Sequence, residues 1–195
     1  MNLRQLVPVA IMFSVAAFAQ NPVSADSPFQ VKYAANLNLG DSVFNISNSG
    51  ASGGNICVSV YTFSPDEQEI SCCSCTVTPN ALVSLSAKTD LISNTLTPAV
   101  PNSIVVKLVS TSGGACNASV QGTAATGLLA WGTTLHANAA VAGGVALTET
   151  AFTPATLGTA EYTRITALCG FIQSNGSGFG ICRSCRLGGQ GAAKL

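Results

Sequence analysis

The clearest strand signal in this chain lies in residues 56–77, ICVSVYTFSPDEQEISCCSCTV. Residues 56–63 are rich in β-branched and aromatic side chains, residues 64–67 have the Pro and Asp of a turn, and residues 68–77 can return as a second strand. The segment therefore predicts an antiparallel hairpin whose second strand carries three closely spaced cysteines.

Strand geometry restricts how these cysteines can pair. If the turn centres between Pro65 and Asp66, Cys57 lies opposite position 74, and a shift of one residue brings it opposite Cys73 or Cys75. We therefore predict a cross-strand disulfide from Cys57 to one of these two cysteines.

The remaining hairpin cysteines are predicted to bond to distant parts of the chain. Successive strand residues point to opposite faces, so Cys72 faces away from Cys73 and Cys75 and needs a different partner. Cys73 and Cys75 share a face, but their spacing is near the upper limit of ~6.8 Å between the Cα atoms of a disulfide. We expect the C-terminal motif CRSC, residues 182–185, to be bonded back to this cluster.

The even number of cysteines favours disulfides in an exported chain. The cysteines that we predict to form disulfides are Cys57, Cys72, Cys73, Cys75, Cys116, Cys169, Cys182 and Cys185. The alternative is a thiolate site for zinc, copper or an iron–sulfur cluster. Its ligands would be Cys72, Cys73, Cys75, Cys182 and Cys185. The chain has one histidine and one C-x-x-C spacing, whereas a strong zinc signal pairs two such motifs or adds histidines.

The N-terminus has the pattern of a secretory signal peptide. Arg4 precedes an apolar run over residues 6–18, and residues 17–19, AFA, form an A-x-A cleavage site. We predict a signal peptide over residues 1–19, an extended arm over residues 20–28, and a single β-rich domain with a cysteine-containing tail over residues 29–195. No later run reaches the ~20 apolar residues of a membrane-spanning helix, so we expect a secreted protein, either extracellular, periplasmic or at the cell surface.

The composition restricts the classes of partner. Eight basic and eight acidic side chains make only 8% of the chain charged, against about 25% in an average domain. Neutral hydrogen-bonding residues take their place, with 21 Ser, 18 Thr and 13 Asn. So few charges exclude a strongly basic nucleic-acid-binding protein, and no cofactor motif is present.

Short strands separated by Gly, Asn and Ser clusters recur along the chain. Besides the hairpin, we predict strands at residues 29–34, 37–39, 42–46, 81–86, 103–110, 128–135 and 145–152. A helix is predicted near residues 157–173, capped by Thr156 or Thr159 and ending at Asn175, with Cys169 attaching it to the sheets. The predicted fold is mainly β, a disulfide-stabilised antiparallel β-sandwich with one C-terminal helix.

One motif matches the nucleophile pattern of a class of hydrolases. Residues 50–54, GASGG, match G-x-S-x-G, and Ser52 followed by Asp66 or Asp90 and then His136 gives the order of a hydrolase triad. A nucleophile elbow needs a strand, a tight turn and a helix, whereas these residues lie in a Ser/Gly/Asn loop between two strands. We therefore assign no catalytic residue and do not expect an enzyme.

Three other features have a structural and a functional interpretation. His136 is the only histidine and is expected to be a hydrogen-bonded boundary residue rather than a base or ligand. Trp131 could stack on a carbohydrate, but a single tryptophan in a β-rich domain favours the core. Asp66, Glu67 and Glu69 are expected to solvate the hairpin tip, since no calcium-loop spacing is present.

Three segments resemble those of a group of uncharacterised secreted cysteine-rich bacterial proteins. They are CCSC followed by TPN at residues 72–75 and 78–80, AWGTTLHA at residues 130–137, and GFGICRSC at residues 178–185. The resemblance implies bacterial export and no established activity.

These observations predict a secreted, non-catalytic structural, adhesive or surface-assembly protein of a bacterium. Self-association is expected through edge strands or the N-terminal arm, because the strands carry few charges. The alternative is a cell-envelope metal-binding or thiol-redox protein that uses the CCSC cluster and the C-terminal CxxC motif.

Overall fold

A computed structural model of the chain describes residues 27–138 and 140–183. The predicted signal peptide, most of the predicted arm, and Cys185 lie outside the described residues. The elements are β1 (Phe29–Ala34), β2 (Val43–Asn48), β3 (Ile56–Phe63), β4 (Glu69–Val77), β5 (Leu82–Ser86), β6 (Ile104–Ser112), β7 (Thr123–Ala124), β8 (Leu128–Ala137), β9 (Val145–Ala151), β10 (Thr153–Pro154) and α1 (Thr159–Ser174). A single π-helical turn, Ala87–Leu91, follows β5.

The strands form two antiparallel sheets, which confirms the predicted fold class. Sheet A has the order β10-β1-β6-β3-β4, with β7 paired to β6, and sheet B has the order β5-β2-β8-β9. One hydrophobic core takes side chains from both sheets, among them Val60 and Leu108 of sheet A and Phe44, Ile46 and Leu128 of sheet B. The sheets therefore pack as the two layers of an open sandwich.

Helix α1 covers the outer face of sheet A. Ile165 and Ile172 of α1 pack with Tyr61, Phe63 and Val109 in a second buried cluster. The helix ends at Asn175 as predicted, but Gly158 is its N-cap and no side chain caps it. None of the helices in the described part of the chain is long and apolar enough to cross a membrane.

The predicted disulfide from Cys57 to Cys73 or Cys75 is wrong. The turn extends to Gln68, whose carbonyl accepts from the Ser64 N–H at 3.0 Å, and a bulge follows in β4. Cys57 therefore lies opposite Thr76. Its side chain is on the outer face of sheet A, whereas Cys73 and Cys75 point into the core between the sheets.

The observed disulfides connect the hairpin to distant segments. Cys57 bonds to Cys116, Cys72 to Cys169 of α1, and Cys73 to Cys182, with Cα–Cα distances of 5.3, 5.8 and 5.3 Å. Cys75 is also disulfide-bonded. The expected alternation along β4 is confirmed: Cys72 is bonded to the helix on one face, and Cys73 is bonded to the C-terminal segment on the other.

The chain changes sheets between β9 and β10. Phe152 is buried at this crossing, where its ring meets that of Phe44 edge-on with 5.8 Å between centroids. Because β10 pairs only with Gln30 and Val31, the edge of β1 beyond Val31 has no strand partner among the described residues. That free length of β1 forms one side of a groove described below.

Two further segments differ from the prediction. Residues 37–39 form a turn, in which Leu37 is buried in the core. The two-residue strands β7 and β10 and the π-helical turn were not predicted, because segments this short have no measurable periodicity.

Candidate functional site

Ser52 and His136, which follow the order of a hydrolase triad in the sequence, do not lie close together in the structure. The Ser52 hydroxyl donates to the Gly54 carbonyl of its own loop at 3.1 Å. That loop is bound to the start of β8, where the Ser49 N–H donates to Gly127 at 2.8 Å. His136 lies eight positions along β8 from Leu128, about 27 Å away at the rise of a β-strand.

The two candidate aspartates accept hydrogen bonds from residues close to them in the sequence. Asp66 accepts a hydrogen bond from the Ser64 hydroxyl within the hairpin turn. Asp90 accepts from the Ser86 N–H at 2.8 Å, next to the π-helical turn. The structure therefore contains no triad built from Ser52, His136 and either aspartate.

The outer face of sheet B is not covered by any described element. Leu82 of β5 and Leu147 of β9 are each 58% exposed on it. Trp131 is half-buried on this face and belongs to neither core cluster, so the expectation of a core tryptophan is wrong. Asn45 accepts from the Ser84 hydroxyl at 2.6 Å, and its amide points to Glu149 at 3.5 Å.

Strand β9 forms one edge of this sheet. All seven of its residues are exposed, and it pairs only with β8. Its single charged residue is Glu149, and it has no proline. Natural edge strands are usually protected by lysines, prolines, bulges or a covering segment, and β9 has none of these among the described residues.

A groove opens between the free edge of β1 and strands β8 and β9. Its volume is about 320 Å³, and its lining includes Lys32, Thr134, His136, Thr148 and Thr150. Hydroxyl, imidazole and ammonium groups from three strands thus meet at one side of the sandwich.

Lys32 is the most unusual residue of this groove. It is only 8% exposed, because Gln30 and Lys32 point to the inter-sheet side of β1 while Phe29 and Val31 pack toward α1. The Lys32 ammonium donates to the Thr150 hydroxyl, and burial lowers its pKa from the ordinary value of 10.5. No carboxylate of the described residues forms an ion pair with it.

Glycine at position 132 makes room for this lysine. A Cβ atom there would lie 2.7 Å from a Phe44 ring carbon and 3.2 Å from Lys32 Cε. Gly132 therefore allows the lysine stem to pass beside Phe44 and reach the groove.

His136 lies at the outer part of the groove. Its Nε2 is 3.0 Å from the Thr148 hydroxyl oxygen, and the residue is exposed. It is thus a hydrogen-bonded boundary residue, as the sequence predicted. The sequence did not indicate the groove, because the alternation in β1 favours its apolar side, rather than Lys32, toward sheet B.

A second unusual group lies under α1. Glu69 is 5% exposed, and neither of its carboxylate oxygens has a hydrogen-bond partner. The expectation that it solvates the hairpin tip is therefore wrong for Glu69, although Asp66 and Glu67 are exposed. Burial raises its pKa to about 8, against the opposing charges of Lys107 and Arg164.

The Glu69 carboxylate lies against the disulfide between β4 and α1. One of its oxygens and the sulfur atoms of Cys72 and Cys169 lie within 4.8 Å of one another. Three such groups could hold a metal if both sulfurs were thiolates, but here the sulfurs are bonded to each other. Of the alternative metal set, Cys72, Cys73, Cys75 and Cys182 are disulfide-bonded, and Cys185 lies outside the described residues.

Lys107 does not neutralise Glu69. Its ammonium forms an ion pair with Glu161 of α1 at 2.6 Å and lies 4.6 Å from the centre of the Phe63 ring. The Glu69 carboxyl therefore remains in an apolar setting next to a covalent crosslink.

Comparison of the chain with protein-family models, with curated proteins and with solved structures finds no match.

Proposed function

We propose that this chain is an exported bacterial protein without catalytic activity that assembles on the cell surface or outside the cell by pairing its β9 strands. The predicted signal peptide supports export. Several disulfides fit an oxidising compartment. The partner in the assembly is a second copy of the same chain.

The observation that carries the proposal is that the edge of β4 in sheet A is covered, whereas the edge of β9 in sheet B is not covered by any described residue. The β4 edge is covered by the C-terminal segment, since the Cys72 N–H donates to Gly180 at 2.8 Å and the Cys182 N–H donates to Cys72 at 3.2 Å. The β9 edge has no such cover among the described residues. Unpaired backbone groups on a seven-residue edge provide a template for a further strand.

The β9 sequence suits antiparallel pairing with itself. A two-fold axis at Thr148 would place Leu147 opposite Glu149 of the second copy and Val145 opposite Ala151. No like charges would face each other in this register. The pairing would join two four-stranded sheets into one of eight strands, with both uncovered outer faces on the same side.

The register can be tested with charge substitutions at Leu147. In Leu147→Glu, the new glutamate of each copy would face Glu149 of the other copy, which gives two repulsive pairs in the symmetric dimer. We therefore expect the dimer dissociation constant to rise about tenfold or more. Leu147→Lys would instead face Glu149 and should preserve the dimer. Sedimentation velocity of the oxidised chain over a concentration series measures both effects.

Leu82→Glu is the matched control, since Leu82 is equally exposed on β5, the other edge strand of sheet B. It should leave the association unchanged. A wild-type chain that stays monomeric at the highest concentration would refute the proposal. An equal effect of Leu82→Glu would also refute it. If deletion of residues 20–28 abolishes association and Leu147→Glu does not, the N-terminal arm forms the contact instead.

A further inference from the structure

We propose that the groove between β1, β8 and β9 binds a small oxyanion, the carboxylate or phosphate group of a ligand, with Lys32 as its charged contact. This binding site is separate from the proposed β9 edge contact. The edge contact uses the backbone of β9, whereas the groove uses side chains on the inner face of that strand.

The first argument is an unbalanced buried charge. The Lys32 residue is 8% exposed, and an ammonium group held against protein is disfavoured unless an opposite charge or a full set of hydrogen bonds compensates it. Within the described residues the ammonium makes one hydrogen bond, to the Thr150 hydroxyl. An anion in the groove would supply the missing charge.

The second argument is that the described acidic residues are directed elsewhere. Glu149 is the acidic residue of β9, and it lies on the outer face of sheet B beside Asn45. Asp41 accepts from the Lys88 N–H at 2.9 Å, and Glu161 pairs with Lys107. Asp66, Glu67, Glu69 and Asp90 belong to the hairpin or to the π-helical turn. The groove therefore has a positive charge and no carboxylate among the described residues.

The third argument is the set of donors around the ammonium. The hydroxyls of Thr134, Thr148 and Thr150 line the groove together with the His136 imidazole. The Thr150 hydroxyl accepts from Lys32 and keeps its own hydrogen for an anion. The Thr134 and Thr148 hydroxyls donate to backbone carbonyls over a long 3.5 Å and can turn toward a charged oxygen. His136 Nε2 lies 3.0 Å from the Thr148 hydroxyl oxygen. Hydrogen bonds to a charged oxygen are about twice as strong as neutral ones.

The size of the groove restricts the ligand. A volume of about 320 Å³ is at the lower end of small-molecule sites, which range over ~300–1,000 Å³. The groove can therefore hold a phosphate or carboxylate group with a short substituent.

The test is a calorimetric titration of the oxidised chain with inorganic phosphate and, separately, with acetate, at constant ionic strength. Saturable binding of phosphate alone, of acetate alone, or of both supports the site and identifies the oxyanion that it prefers. If neither anion shows saturable binding up to ~10 mM, the proposal is overturned. That limit corresponds to a binding free energy weaker than about 3 kcal/mol.

Lys32→Met separates this site from general charge attraction. The substitution keeps the length of the stem and removes the charge, so we expect at least a tenfold loss of affinity in a chain that folds as well as the wild type. Lys88→Met is the matched control, because Lys88 is exposed on the π-helical turn. Unchanged affinity in Lys32→Met, or an equal loss in Lys88→Met, would show that the groove does not bind the anion.

Discussion

Removing the Cys57–Cys116 disulfide by the paired substitution Cys57→Ala and Cys116→Ala will lower the free energy of unfolding by about 4 kcal/mol. The two cysteines are 59 residues apart, and chain-entropy arguments give about 3 kcal/mol for a 15-residue loop and about 4.7 for a 100-residue loop. The Cys72–Cys169 and Cys73–Cys182 disulfides do not shorten this loop, because both join a hairpin cysteine to a residue beyond position 168. Both cysteines are half-buried, so the lost sulfur atoms leave little cavity.

Thermal unfolding will show the effect as a fall in Tm of roughly 8–16 °C, at 2–4 °C for each kcal/mol. Ser74→Ala is the control for local contacts, since the Ser74 hydroxyl donates to the Cys116 carbonyl at 3.0 Å. That single hydrogen bond should contribute only about 1 kcal/mol. If the paired cysteine variant loses no more than Ser74→Ala does, the covalent link does not contribute the expected stability.

The second large effect is a loss of stability as the pH rises, caused by Glu69. Burial raises the pKa of Glu69 in the folded chain from 4.5 to about 8, so the folded state retains a proton that the unfolded state has released. The free energy of unfolding therefore falls by about 1.4 kcal/mol for each pH unit between these two values. Between pH 5 and pH 8 the expected loss is about 4 kcal/mol. Below pH 4.5 both states are protonated, and Glu69 adds no further pH dependence.

Glu69→Gln isolates this contribution, because glutamine has a similar shape and does not titrate. We expect the difference in unfolding free energy between the wild type and Glu69→Gln to change by several kcal/mol across this range, with the variant favoured at high pH. Lys32 also has a shifted pKa, but its contribution is the same in both proteins and cancels in the difference.

Glu67→Gln is the matched control, since Glu67 is an exposed carboxylate of the same hairpin. Denaturant unfolding of the three proteins at pH 5, 6, 7 and 8 measures the effect. A wild-type curve parallel to that of Glu69→Gln would show that Glu69 is already ionised at pH 5 in the folded chain.

The hairpin shows how far local sequence determines this fold. The bounds of β3 were predicted to the residue, because β-branched and aromatic residues are dense in it and a Pro–Asp turn follows, and β4 starts one residue later than predicted. The register was not predictable, since it depends on the turn reaching Gln68 and on the bulge in β4. Together they place Cys57 opposite Thr76, out of register with its predicted partners.

The candidate groove could not be predicted from the sequence for a related reason. In β1 the apolar residues Phe29 and Val31 alternate with Gln30 and Lys32, a pattern that predicts the apolar side toward the main core. The structure has the reverse arrangement, because α1 covers the outer face and takes the apolar side chains. A strand buried on both faces does not reveal which face a helix will occupy, so the sequence did not indicate that Lys32 lies on the inter-sheet side.

The positions of the cysteines along the chain also set the order in which their bonds can form. In the proposed export the N-terminal part of the chain enters the oxidising compartment first, so Cys57 and Cys116 can meet there before Cys169 and Cys182 arrive. During that interval the thiols of Cys72 and Cys73 await partners that arrive last. The hairpin holds Cys57 on the other face from Cys73 and Cys75, which disfavours a bond between Cys57 and either of these two. β4 is then ready to receive α1 on one face and the C-terminal segment on the other.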